Sequence, residues 1–71
     1  MTTLKQYRLK AHASLSQVAR AGGISPVTVA RAEEGKPVQE LKALQIAEGL
    51  SKLLGQAIQV KDIEGLVVYE A

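Results

Sequence analysis

The chain contains no cysteine, no phenylalanine and no tryptophan, and only two tyrosines. Without cysteine it has no disulfide framework and no thiolate metal site, which suits a reducing compartment. With so few aromatics, the core of a single 71-residue domain has to be filled by Leu, Ile, Val and Ala. No apolar run approaches the ~20 residues of a membrane span, and the N-terminus has no signal-peptide apolar region. These absences predict a soluble, unexported, cytoplasmic chain with no membrane contact. Acids are missing from the first half altogether. Residues 1–32 carry Lys5, Arg8, Lys10, Arg20 and Arg31, whereas residues 33–71 carry four lysines and all seven acids. The net charge of +2 therefore conceals a cationic half and an anionic half, a polarity that suits a polyanion, nucleic acid first among candidates.

Catalytic signatures are absent too. No glycine-rich loop is followed by a phosphate-binding lysine. Glu33 and Glu34 are adjacent on one helix and so diverge. His12 is the only histidine and sits at a helix end, where the dipole suits it. No catalytic residue, no metal ligand and no cofactor is expected.

What is present is concentrated between Ser14 and Gly35, SLSQVARAGGISPVTVARAEEG. Ser14 is a good N-cap, and Gln17 three residues on completes a capping box. Leu15, Val18, Ala19 and Gly22 follow at i, i+3, i+4 and i+7, one narrow apolar face. Gly23 is best able to take positive φ and stop the helix. Ser25-Pro26 opens another helix, a capping serine with proline at N1. In that helix Val29 and Ala32 point to one side, Val27 and Arg31 to the other, and Gly35 ends it. Two helices this short must pack on each other, and their Ala and Gly residues allow close approach. The spacing predicts a helix-turn-helix.

Ala19, Gly23, Ile24, Val29 and Ala32 resemble the small-glycine-aliphatic signature of phage-repressor-type (lambda-repressor-like, Cro/XRE) DNA-binding domains. Ser25, Thr28, Val29, Glu33 and Gly35 resemble that family's S-x-x-T-[IV]-x-x-x-E-x-G recognition helix. With Arg8 and the LKALQIAEGL segment, the similarity spans roughly residues 3–54. One departure is Leu15, which stands where many members place a phosphate-contacting glutamine. The resemblance implies an all-α fold, a bundle of about five short helices, and binding of double-stranded DNA by a small prokaryotic or phage regulator associated with the nucleoid. The alternative is a helical protein-interaction module, antitoxin-like or a scaffold, that keeps the fold without reading DNA.

The expected reading surface is the exposed side of the third helix, Pro26, Val27, Thr28, Ala30, Arg31 and its cap Ser25, entering a major groove. Arg31 suits guanine O6 and N7, and Val27 a thymine methyl. The N-terminal amides of the second and third helices, with Ser16, Gln17 and Thr28, suit phosphate. Lys10, Arg20 and Lys36 are candidate backbone contacts.

In the flanking chain, Thr2 or Thr3 caps a first helix whose inward stripe is Leu4, Tyr7, Arg8 and Ala11. An arginine in such a stripe either lies along the core with its head in water or needs an acid, and Glu33 is the best placed. In the family that Arg8 resembles, the matching positions form an ion pair. After Lys36-Pro37, Leu41, Leu44, Ile46, Ala47, Leu50, Leu53 and Leu54 recur at helical spacing from about Val38 to Leu54. Gly49 interrupts this stripe, so one helix or two remain open. Residues 1–55 read as the DNA-binding domain. Residues 56–71 read as an extension with an extended linker, a fifth helix near residues 61–66 and a loose terminus. Its apolar residues Ile58, Ile63, Leu66, Val67, Val68 and Tyr69 either return to the core or make a homodimer through this C-terminal segment.

Overall fold

Each of the first three helices begins at a short-range cap. The computed structural model describes residues 2–69; the final two residues of the expected 56–71 extension lie outside them. Helix α1 is Leu4–Lys10. Thr3 Oγ accepts the Gln6 N–H at 3.2 Å, and Gln6 Oε1 accepts the Thr3 N–H at 2.8 Å. Helix α2, Leu15–Gly22, repeats the arrangement with Ser14 and Gln17 at 3.1 and 2.7 Å. Helix α3, Pro26–Glu33, starts on Ser25, whose Oγ accepts the Val27 N–H at 3.1 Å, with proline in the first turn. Reciprocal capping satisfies donors that the helix itself leaves orphaned.

The terminators differ between helices. Gly23 closes α2 with φ 73°, and the space beside it is open: an added Cβ would meet nothing within 4 Å. Gly23→Ala is therefore expected to lose about 1 kcal/mol through left-handed backbone strain alone, seen as a lower melting temperature. An unchanged melt would mean that the turn does not depend on that conformation. Between α1 and α2 no glycine is available, and His12 takes the left-handed position itself, φ 54°. Its N–H donates to the Leu9 carbonyl at 3.0 Å, and the next N–H, of Ala13, to that of Arg8 at 3.1 Å. Histidine is among the residues that tolerate this region, so His12 serves as a helix stop.

The fourth helix, α4, is Glu40–Leu54 and unbroken. Gly49 marks a crossing here, where the sequence left a bend open. A Cβ on Gly49 would lie 2.8 Å from the Val18 carbonyl oxygen and 2.9 Å from the Gly22 nitrogen, and one on Gly22 would run into the Gln45 carbonyl. The close approach that small residues permit is thus between α2 and α4. It turns α4 so that Ala43, Ile46, Ala47, Gly49 and Leu50 are buried. Leu41, Leu44 and Leu53, expected in the inward stripe, are 63%, 51% and 38% exposed.

The fifth helix expected near residues 61–66 is replaced by extended chain. Only a single 3-10 turn forms, Val60–Asp62, and Gly65 takes φ 78°. Ile58 and Ile63 are buried along this segment, whereas Val67, Val68 and Tyr69 are exposed. Four two-residue strands result: β1 Thr2–Thr3, β2 Val38–Gln39, β3 Ile63–Glu64 and β4 Val68–Tyr69. β3 runs parallel to β1, with Thr2 opposite Ile63. β4 runs parallel to β2, with Val38 opposite Val68 and Gln39 opposite Tyr69. The segment after Gly55 is therefore a strap that returns to the helices. Of the residues expected either to return to the core or to make a dimer contact, Ile58 and Ile63 are 7% and 4% exposed and fill the chain's own core. Ser51 fastens the strap's start, donating to the Ala47 carbonyl at 2.8 Å and accepting the Ile58 N–H at 2.9 Å. The buried residues are aliphatic throughout, with Tyr7 packed at their edge.

Candidate nucleic-acid interface

Helix α3 divides its residues cleanly. Val29 and Ala32 are 0% and 3% exposed, while Val27 is 64% exposed. Pro26 and Arg31 are also exposed, and Thr28 and Ala30 are half-buried. The helix thus rests on the core by one side and offers solvent a surface of small and aliphatic groups with one guanidinium. An exposed valine in the first turn adds nothing to the core, so its place on this surface calls for another account.

The angle of α3 is fixed by a fork. Arg8 Nε donates to Glu33 Oε2, Nη2 to Glu33 Oε1 at 3.2 Å, and Nη1 to the Ala13 carbonyl at 3.2 Å. The two side chains are 16% and 12% exposed. Bidentate geometry of this kind is among the strongest available to neutral-pH side chains. Hydrogen bonding to Glu33 raises the Arg8 pKa further above its ordinary value, with Glu33's charge assisting and partial burial opposing. Arg8 therefore remains cationic at every working pH. One side chain joins α1, the α1–α2 turn and the end of α3.

Other expected contacts are arranged around this frame. Ser16, Gln17 and Arg20 are exposed on α2, at spacings that set Ser16 and Arg20 one helical turn apart. Gln17 Oε1 is held by the capping box, accepting the Ser14 N–H. Ser25 Oγ is engaged as a cap. Lys10 is exposed in the last turn of α1. Lys36 lies 3.1 Å from Glu34 in a pair that is about 60% exposed on both sides. Such a pair contributes ~0–1 kcal/mol.

Two residues beside α3, Gln39 and Lys42, are not singled out by the sequence, and a third, Tyr69, reads there only as a core or dimer residue. A recess of about 160 Å³ lies against α3, lined by Thr28, Arg31, Gln39, Lys42 and Tyr69 among others. Lys42 is half-buried in the first turn of α4. Tyr69 arrives only through the β2–β4 pairing, so no local pattern announces it.

Among the described residues, no group of His, Cys, Asp and Glu is arranged to hold a metal ion. No helix there is long and apolar enough to cross a membrane. A family model described as helix-turn-helix matches residues 4–56. Neither a curated protein nor a solved structure matches the chain.

Proposed function

Since the chain belongs to the helix-turn-helix family, of the Cro/XRE type of DNA-binding domain, we propose that it is a transcriptional regulator that reads duplex DNA sequence-specifically through α3. The observation that carries this reading is the exposed face of α3, where Val27 and Arg31 meet solvent on a helix otherwise anchored by buried Val29 and Ala32. In this reading α3 enters the major groove N-terminus first. Arg31 pairs with guanine O6 and N7, Val27 meets a thymine methyl, and Pro26 and Ala30 keep the helix close to the base edges. Ser16, Gln17 and Arg20 on α2, Thr28 on α3, the cap Ser25, and Lys10 and Lys36 face the backbone. Such a role sets the protein on the nucleoid.

Binding to selected and scrambled duplexes over a salt series tests this. Arg31→Ala is expected to weaken the selected site by ~1–3 kcal/mol and to relax preference at one base pair. Arg20→Ala is expected to weaken all sequences alike and to reduce the salt slope by about one. If Arg31→Ala leaves base preference intact, α3 is not the reader. The same titration counts chains per site. Two are expected on a near-palindrome, because one short helix spans too few base pairs to select a genomic site.

A second reading, a protein-interaction module, is favoured by exposed Leu41 and Leu44 on α4. Leu44 borders an open apolar groove of about 640 Å³ between α4 and residues 58–61. Absence of salt-dependent duplex binding by the full chain would select it.

A further inference from the structure

We infer that the C-terminal strand β4 is part of the nucleic-acid surface, with Tyr69, Gln39 and Lys42 forming a seat for one phosphodiester of the duplex beside α3. The inference rests on the reading of α3 as the groove helix and adds a backbone subsite to it. Its physical basis is the β2–β4 pairing. Val38 is 5% exposed and its N–H donates to the Val67 carbonyl at 2.9 Å, which fixes the strand against the core. Side chains alternate along a strand, so burial of Val38 turns Gln39 outward. Tyr69 is its register partner and stands beside it.

The chemistry of this recess is that of a donor set for an anion. Arg31 and Lys42 bring positive charge, Gln39 an amide, Thr28 and Tyr69 hydroxyls, and among the described residues no carboxylate lines it. Gln39 occupies the N-cap position of α4 without making a side-chain cap hydrogen bond, so its amide is not engaged there. Tyr69 is 45% exposed, which leaves a large amphipathic side chain at the rim. Thr28 and Arg31 belong to α3 itself, and the anion that must pass closest to a helix in a major groove is the sugar-phosphate chain flanking it. A phenol donating to a phosphate oxygen, with a lysine beside it, fits that position.

The test uses the full chain, Tyr69→Phe and Lys42→Ala, on selected and scrambled duplexes across a salt series, with phosphate-ethylation interference on each. Helical circular dichroism and melting temperature establish that each variant is folded. Tyr69→Phe is expected to lower affinity about two- to tenfold on both duplexes alike, leaving their ratio unchanged. Lys42→Ala is expected to reduce the salt slope by about 0.9. Both variants should lose interference at the same phosphate. If the full chain binds duplex while neither variant changes affinity, slope or interference, the seat is overturned and the role of α3 stands. A changed base preference would assign these residues to base readout and overturn it equally. Saturable shifts of the Tyr69 and Lys42 signals with sub-millimolar inorganic phosphate would make it a site for a free anion and not for the duplex. If the full chain shows no salt-dependent duplex binding, the α3 reading fails and the seat with it.

Discussion

Gly49→Ala and Gly22→Ala are each expected to destabilise the domain by ~3 kcal/mol or more, although both place a better helix former inside a helix. Helix propensity alone predicts a gain of ~1 kcal/mol per substitution. Sterics decide otherwise. The added methyl on Gly49 would lie 2.8 Å from the Val18 carbonyl oxygen and 2.9 Å from the Gly22 nitrogen, all backbone atoms that cannot swing away. The methyl on Gly22 meets the Gln45 carbonyl in the same way. Relief requires α2 and α4 to move apart, which opens space around Val18, Ile46 and Leu50, all 0% exposed. Overpacking of this kind costs ~1–3 kcal/mol when side chains can adjust and more when they cannot. A domain of this size has only ~4–10 kcal/mol in total, so a fall in melting temperature of at least ~12 °C is expected. The double variant should fall by less than the two single losses added, since helices already separated accept the second methyl at lower cost. A Gly49→Ala variant that melts at or above the parent would show that the helices do not meet backbone to backbone.

The second large effect concerns the Arg8–Glu33 fork. Removing Glu33 leaves a guanidinium only 16% exposed without its carboxylate, and removing Arg8 strands both the carboxylate and the Ala13 carbonyl. Fully buried pairs lose ~3–5 kcal/mol on losing one partner. With both groups at the rim, ~2–4 kcal/mol is expected for Arg8→Ala and Glu33→Ala measured by chemical denaturation. Arg8→Met combined with Glu33→Leu is expected to recover most of that loss, because an apolar pair of similar volume strands no charge. Single variants within ~0.5 kcal/mol of the parent would mean that solvent already screens the pair.

The first half of the fold is legible in the sequence because its signals are local. Ser14 with Gln17, Ser25 with Pro26, and Gly23 each act within a few residues, and the structure begins or ends a helix at each. The buried face of α4 was legible in part: Ile46, Ala47 and Leu50 are buried as their spacing predicts. Leu41, Leu44 and Leu53 have the hydropathy and spacing of core residues, and what turns them outward is the approach of α2, set by two glycines distant in sequence. Gly49 was open to two readings for the same reason, since a glycine in a helical pattern looks the same whether it bends the helix or admits a neighbour. The strap resisted reading because two-residue strands are too short to show a period, and each depends on a partner elsewhere in the chain. The α3 surface was visible from its caps and its apolar side, whereas Tyr69 joins it only through the β2–β4 pairing and Lys42 only through the packing of α4 beside α3.

The strap also orders events in time. α2 and α3 are joined by a turn of a few residues and find each other by local search. β1 and β3, by contrast, come from the two ends of the described chain, and closing a longer loop carries a greater entropic penalty. The helices are therefore expected to assemble first, with the two parallel pairings zipping afterwards onto a surface already formed. In reverse, these short pairings are expected to be the first part of the native state to open, their amides exchanging with solvent through fluctuations that leave the helices intact.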